Sequence, residues 1–163
     1  MKYLKLAAIA TCLAIGFSVV GQAAETKHGT LTIASAWARP SIGKHGNSAA
    51  YMLIKNTGAA DRLMAASTAQ AGKVELHTHI QDGDIMRMRK IMGGVAIPAQ
   101  GSLALKPGGH HVMIMKLKTP LLKGSMLPLS LTFEKAGTVT VHATVSMQAV
   151  GTGHHGMKGH GHK

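Results

Sequence analysis

The chain has 163 residues, and 18 Lys and Arg against 6 Asp and Glu give it a formal net charge of +12. A strongly basic chain suggests a nucleic-acid-binding protein. Here, however, the basic residues are scattered singly, and two Phe, two Tyr and one Trp are too few for base stacking. We therefore expect no nucleic-acid partner. The distinctive part of the composition is instead its 11 His and 11 Met.

The first 23 residues have the organisation of an export signal. Lys2 and Lys5 flank the start of an apolar run at Leu6–Val20, and Gly21-Gln22-Ala23 offers small residues for a cleavage site. The run is short for a membrane span, and no later stretch is long and apolar enough to be one. Residues 1–23 are therefore predicted to be a cleaved signal peptide of an exported protein with no stable membrane insertion. An uncleaved N-terminal anchor is the alternative.

The single cysteine, Cys12, lies in the middle of that apolar run. A lipoprotein cysteine would normally close the run, so we do not expect lipidation. The mature chain then holds no thiol, which excludes dithiol redox chemistry, cysteine nucleophiles and blue-copper centres. The sequence also shows no nucleophile–base arrangement, and we expect that the protein is not an enzyme.

Frequent turn signals divide the rest of the chain into short segments with strand character. Alternation is clearest at Thr138–Val145, where apolar and polar residues take opposite faces. Helix is expected only as a turn around Ala59–Met64. Residues 24–150 are therefore predicted to form one all-β domain, a Greek-key β-sandwich. The predicted strands are Leu31–Ala38, Ala49–Asn56, Lys73–His79, Ile85–Lys90, Ser102–Leu105, His110–Leu117, Leu127–Phe133 and Thr138–Met147.

Three of these segments, at 74–79, 84–89 and 109–115, carry His and Met at strand spacing. Residues two apart in a strand point to the same side, so each segment presents a face of His or Met. Imidazole and thioether donors without a thiolate favour a soft monovalent metal, which among biological ions means Cu(I). The alternative is that the methionines fill core gaps and the histidines lie on exposed faces. The residues are His77 and His79, Met86 and Met88, and His111, Met113 and Met115.

The last 13 residues, GTGHHGMKGHGHK, differ from the rest of the chain, since Met157 is their only apolar residue. Gly151–Lys163 cannot bury a face and is predicted to be a flexible tail. Its imidazoles suit Cu(II), and we expect the tail to capture that ion. A solvated end without a role is the alternative. The tail donors are His154, His155, Met157, His160 and His162.

The sequence resembles the PCu(A)C family of periplasmic copper chaperones over roughly Thr30 to Met147. The similarity includes the motifs AWARP, AAYM, VELH, MRMR, PGGHHVMIM and LTFEKAGTVTV. The family motif is a His, a Met about ten residues later, and a His-x-Met about twenty residues beyond that. In this chain ten residues lie between the first His and the first Met, and 22 lie between that Met and the His-x-Met. These positions are His77, Met88, His111 and Met113.

The resemblance implies a cupredoxin-like β-sandwich or barrel that binds one Cu(I) through two imidazoles and two thioethers. It also implies delivery of that copper, in the periplasm, to a cytochrome c oxidase subunit or to another copper chaperone of oxidase assembly. His79 stands where some family members have Met, so it is a fifth ligand, a Cu(II)-favouring ligand or a bystander. Met86 and Met115 are further auxiliary candidates. A copper-sequestering storage protein for copper resistance would need the same ligands and is the alternative function.

Overall fold

The computed structural model describes residues 25–43 and 46–149. The predicted signal peptide at 1–23 and the predicted tail at 151–163 lie outside the described residues. Nowhere in the described ranges is there a helix long and apolar enough to cross a membrane.

The described part of the chain is all-β, as the sequence predicts. Eleven strands follow one another with short turns between them. They are β1 (Thr26–His28), β2 (Leu31–Ala38), β3 (Ser48–Asn56), β4 (Asp61–Ser67), β5 (Ala71–Asp82), β6 (Ile85–Lys90), β7 (Val95–Ile97), β8 (Gly101–Leu105), β9 (His111–Leu117), β10 (Met126–Phe133) and β11 (Gly137–Val145).

The strands form one hydrogen-bonded path in the order β6-β5-β9-β3-β2-β11-β10-β4-β7, with β1 added to β2 and β8 to β3. All pairs are antiparallel except β2 with β11. β4 also contacts β5, and β7 contacts β8, so the two ends of the path fold over each other. Between them lies a core of aliphatic side chains contributed by nearly every strand.

Each of the eight predicted strands is present, with its ends shifted by three residues or fewer. The helical turn predicted around Ala59–Met64 is wrong, because Asp61–Ser67 forms strand β4 between β10 and β7. Pairing on both sides, together with burial of Leu63 and Ala66, outweighs the helix propensity of an Ala-rich segment. The two three-residue strands β1 and β7 were not predicted from the sequence.

The strand β9 shows how the sheet separates core from surface. Val112 and Ile114 are fully buried in the core. Met113 and Met115 alternate with them and therefore lie on the outer face of the same sheet. The predicted donors and the core thus occupy opposite faces of one strand.

A bulge in β2 supplies an aromatic neighbour for that outer face. Ser35 has a positive φ of 52°, and the β2–β3 register shifts between Ala34 and Trp37. As a result Trp37 lies directly opposite Tyr51, and the two ring centroids are 4.6 Å apart.

Candidate metal site

The predicted donors lie on the outer face of neighbouring strands. β5 lies between β6 and β9, and β9 lies between β5 and β3. In this register His77 is opposite His111, and His79 is opposite Met88. Directly opposite residues share a face of the sheet, so imidazoles and thioethers from three strands meet on the side away from the core.

The closest contact between two candidate donors joins β9 to β6. Nε2 of His111 lies 3.2 Å from the sulfur of Met88, although 23 positions separate the two residues in sequence. His111 is only 3% exposed, whereas Met88 is 45% exposed. His111 is therefore buried on the central strand, and Met88 contacts it from the exposed edge strand β6.

The protonation of His111 leaves Nε2 free to bind a metal. Its Nδ1–H donates to the carbonyl of Gly109 at 2.9 Å, which fixes the proton on that nitrogen. Burial lowers the pKa of His111 below its ordinary value of 6.5, and the nearby His79, His77 and His110 lower it further, although the Gly109 carbonyl opposes the shift. At neutral pH the ring is uncharged, so an Nε2 lone pair faces the Met88 sulfur.

An open cleft of about 270 Å³ lies over this contact. Met88, His111, Met113 and His79 all contribute to its wall. The other lining residues are Arg39, Pro40, Asn47, Ser48, Ala49 and Tyr51. Three of the four motif residues thus line one cleft, together with the histidine that departs from the family pattern.

His77, the fourth motif residue, lies beside the cleft. Its Nε2 is 3.0 Å from a carboxylate oxygen of Glu75, and its ring centroid is 5.9 Å from that of His111. Nδ1 of His77 is buried and has no hydrogen-bond partner in residues 25–43 and 46–149. A buried polar atom of this kind is costly unless something binds it, and a ligated metal would satisfy it.

The Glu75 carboxylate is held by cations as well as by His77. Lys90 lies 2.8 Å and Lys73 lies 3.1 Å from its other oxygen. Hydrogen bonds from Lys90, His77 and Lys73, in that order, lower the pKa of Glu75 to about 2. Glu75 is therefore ionised at any physiological pH.

His79 lies closer to His111 than His77 does. The two rings stack with centroids 5.1 Å apart, and Nδ1 of His79 is buried without a partner. The described residues contain no group of three or more His, Cys, Asp or Glu placed to hold a metal ion. The convergent donors are instead a mixture of imidazole and thioether, which is the ligand class of a soft monovalent cation.

Comparison with known proteins identifies the family. The profile of the LpqE-like family matches residues 31–145. The chain belongs to the LpqE-like family. The LpqE-like chain is 32% identical over 114 residues to a protein of Leifsonia xyli subsp. xyli named "Putative lipoprotein Lxx21020", an alignment that covers 69% of this chain and 68% of the relative.

Solved structures place the LpqE-like chain among PCuAC domains, as its motif residues suggest. The copper-bound PCuAC domain from PmoF2 is 26% identical with a TM-score of 0.63, and the alignment covers 75% of this chain and 97% of that domain. The solution structure of CuI-DR1885 from Deinococcus radiodurans is 32% identical with a TM-score of 0.52, covering 68% and 75% of the two chains. The resemblance to the PCu(A)C family and the cupredoxin-like β fold are confirmed.

The two auxiliary methionines of the LpqE-like chain lie on the same face as the donors but not on the cleft wall. Met86 is opposite Gln81 near the tip of the β5–β6 hairpin and is 55% exposed. Met115 is opposite Lys73, two residues beyond Met113. The structure therefore does not bring Met86 or Met115 into the cleft. The predicted tail donors and Met157 lie outside the described residues.

Sequence reasoning missed the residues that support the donors. Glu75 and the Gly109 carbonyl fix one nitrogen each of His77 and His111. Tyr51 lines the cleft and lies 6.3 Å from the His111 ring. Burial raises the pKa of Tyr51, so its hydroxyl stays neutral, although Arg39 opposes that shift. The one available signal was the spacing Glu75-x-His77, which places both side chains on one face of a strand.

Proposed function

We propose that this protein is a copper metallochaperone whose folded domain binds one Cu(I). The observation that carries the proposal is the convergence of an unprotonated His111 Nε2 and the Met88 sulfur at 3.2 Å in an open cleft that Met113 also lines. Copper-bound structures of PCuAC domains with the same fold support it.

The proposed ligands are His111, Met88, Met113 and His77, with His79 as an auxiliary ligand. All of these donors are neutral, so a bound Cu⁺ keeps its charge and no thiol has to lose a proton. The unpartnered Nδ1 atoms of His77 and His79 give β5 two buried nitrogens able to complete the site. We place no ligand role on Met86 or Met115.

Delivery rather than turnover is the proposed activity. Met88 is half-exposed on the edge strand β6, so an acceptor can reach the copper from that side and replace a thioether with a stronger thiolate. The proposed acceptor is a cytochrome c oxidase subunit, or another copper chaperone of oxidase assembly, outside the cytoplasmic membrane. Export is supported by the signal-like residues 1–23 and by a relative named as a lipoprotein.

A competition titration with Cu(I) and a chromogenic chelator tests the folded site. The mature domain, residues 24–150, is used so that neither Cys12 nor the tail binds copper, beside its Met88→Ala/Met113→Ala variant. We expect tight one-to-one binding that the double variant loses, because thioethers supply half of the ligand set. The matched control is Met64→Ala/Met126→Ala, which removes two exposed methionines outside the cleft. Equal affinity in all three proteins would refute the proposal.

The histidine-rich tail is proposed to capture Cu(II) and to supply the folded site after reduction. Tethering keeps the captured ion at a high effective concentration near the cleft. Deletion of Gly151–Lys163 should remove one equivalent of Cu(II) binding and leave Cu(I) affinity intact. An unchanged Cu(II) stoichiometry in the truncated protein, measured by titration, would contradict this role.

The alternative, copper storage, is favoured by the same tail, since its four histidines could hold more copper than the single folded site. The ratio of copper to protein separates the two functions. One rapidly exchanging ion in the domain indicates delivery, and several ions held mainly by the tail indicate storage.

A further inference from the structure

Glu75 occupies a position between two of the proposed ligands. It lies two residues before His77 on β5 and directly opposite Met113 of β9, on the outer face of the sheet. Its side chain is only 11% exposed, and that of His77 is 13% exposed. A carboxylate this close to a metal cleft and this enclosed requires an explanation beyond surface charge.

The two carboxylate oxygens of Glu75 have different partners. One oxygen accepts hydrogen bonds from Lys73 and Lys90, and the other lies 3.0 Å from Nε2 of His77. A carboxylate oxygen only accepts, so His77 must carry its proton on Nε2 to make this bond. A metal ligand needs a nitrogen without a proton, and in the tautomer with Nε2–H that nitrogen is Nδ1, the atom that has no partner among the described residues.

We propose that Glu75 is a positioning residue of the copper site, which holds the proton of His77 on Nε2 and thereby makes Nδ1 the ligating nitrogen. The inference rests on the copper-binding function proposed above. Carboxylate partners of this kind orient metal-bound histidines and raise the basicity of the ring. Lys73 and Lys90 fix the carboxylate so that it holds one orientation. His111 has the opposite tautomer, so the two imidazoles bind copper through different nitrogens.

Nitrogen-15 NMR of the histidine rings tests this assignment on the unmodified protein. Long-range proton–nitrogen correlations distinguish the two tautomers, and the loss of signals in His77→Ala assigns the ring. We expect a single tautomer of His77 with Nε2 protonated, and a shift of its Nδ1 signal, together with Nε2 of His111, when one equivalent of Cu(I) is added. A mixture of tautomers, or a Cu(I)-induced shift at Nε2 of His77, would overturn the assignment. If no ring signal of the domain responds to Cu(I), the proposed function itself fails.

Substitutions separate the positioning role from a structural ion pair. Glu75→Ala should lower Cu(I) affinity about 10–100-fold, the usual cost of losing such a partner. Glu75→Gln keeps an oxygen that accepts the Nε2–H and should recover part of that loss. Lys90→Met removes one of the two cations that fix the carboxylate but not the hydrogen bond to His77, so it should keep the tautomer and lower the affinity less than Glu75→Ala does.

The matched control is Glu134→Ala, which removes an exposed carboxylate paired with Arg62 at 3.9 Å, far along the chain from the cleft. Affinity is read from the His77 and His111 ring signals during chelator competition, so copper in the tail does not contribute. Equal affinities for Glu75→Ala and Glu134→Ala would show that Glu75 is only a structural ion-pair residue.

Discussion

The three candidate histidines differ in what holds the ring nitrogen that would face away from a metal. His111 has the Gly109 carbonyl, and His77 has the Glu75 carboxylate. His79 lines the cleft, but no hydrogen bond among the described residues holds either of its ring nitrogens. Orientation by a second group is what raises the affinity of a histidine ligand, so His77 should contribute more than His79.

This difference predicts unequal effects of two alanine substitutions. His77→Ala should lower Cu(I) affinity about 100-fold or more, because the substitution removes a ligand that Glu75 holds in a fixed orientation. His79→Ala should lower it less than about tenfold, or about 1.4 kcal/mol. Chelator competition on the protein without residues 151–163 measures both, with the exposed His142→Ala as the control. A larger loss in His79→Ala than in His77→Ala would make His79 the principal ligand.

At the scale of the element, strands with two distinct faces were the most predictable part of the fold. On β9 the alternation of His111 and Met113 with Val112 and Ile114 fixes which side chains face the core, whatever the neighbouring strands are. β4 does not show this alternation, because its buried residues Leu63 and Ala66 are three positions apart, a spacing that also suits a helix. Its strand conformation follows from its partners β10 and β7, which the local sequence does not specify.

Asp61 at the start of β4 shows how such a segment is held. Its carboxylate accepts backbone N–H bonds from Arg62 at 2.7 Å and, across the turn between β10 and β11, from Lys135 at 2.9 Å and Ala136 at 3.0 Å. Burial by itself would raise the pKa of Asp61, but these bonds outweigh it and lower the pKa below the ordinary 3.8. The ionised form is therefore the one that stabilises the fold.

Because folding lowers the pKa of Asp61, the stability of the fold depends on pH. The stability from Asp61 is complete above its unfolded-state pKa, near 3.8, and is lost as the pH falls through the lower folded-state pKa. Asp61→Asn should therefore lower the melting temperature at pH 7, and the difference between the variant and the wild type should shrink as the pH falls below 3.8. Thermal melts across pH 2–7 measure both effects, and a constant difference at all pH values would contradict this role.

At the scale of the whole molecule, the proposed site joins an edge of the sheet to its interior. Every residue of β6 is exposed, and among the described strands β6 pairs only with β5. His111 on β9 is buried and flanked by strands on both sides. A metal held by Met88 and His111 would cross-link an exposed edge strand to a buried central strand, and edge strands open more readily than central ones.

Copper should therefore change the local stability of the hairpin more than that of the core. Adding one equivalent of Cu(I) should slow hydrogen exchange of the amides in β6 and in the part of β5 that pairs with it, whereas the amides of β10 and β11 should show a smaller change. Exchange measured by mass spectrometry on the protein without residues 151–163 provides the test. Met88→Ala should remove the effect on β6, and a uniform change across all strands would argue against a cross-link at this position.

The sequence alone predicted which donors share a strand face and the class of metal. Alternation puts His111 and Met113 on one face of strand 111–117 and Met86 and Met88 on one face of strand 85–90, and thioethers with imidazoles favour a soft cation. Only the tertiary structure decided which strands are neighbours, because register depends on long-range pairing rather than on local pattern. That register brings Met88 to His111, places His79 on the cleft wall and joins Glu75 to His77, Lys73 and Lys90.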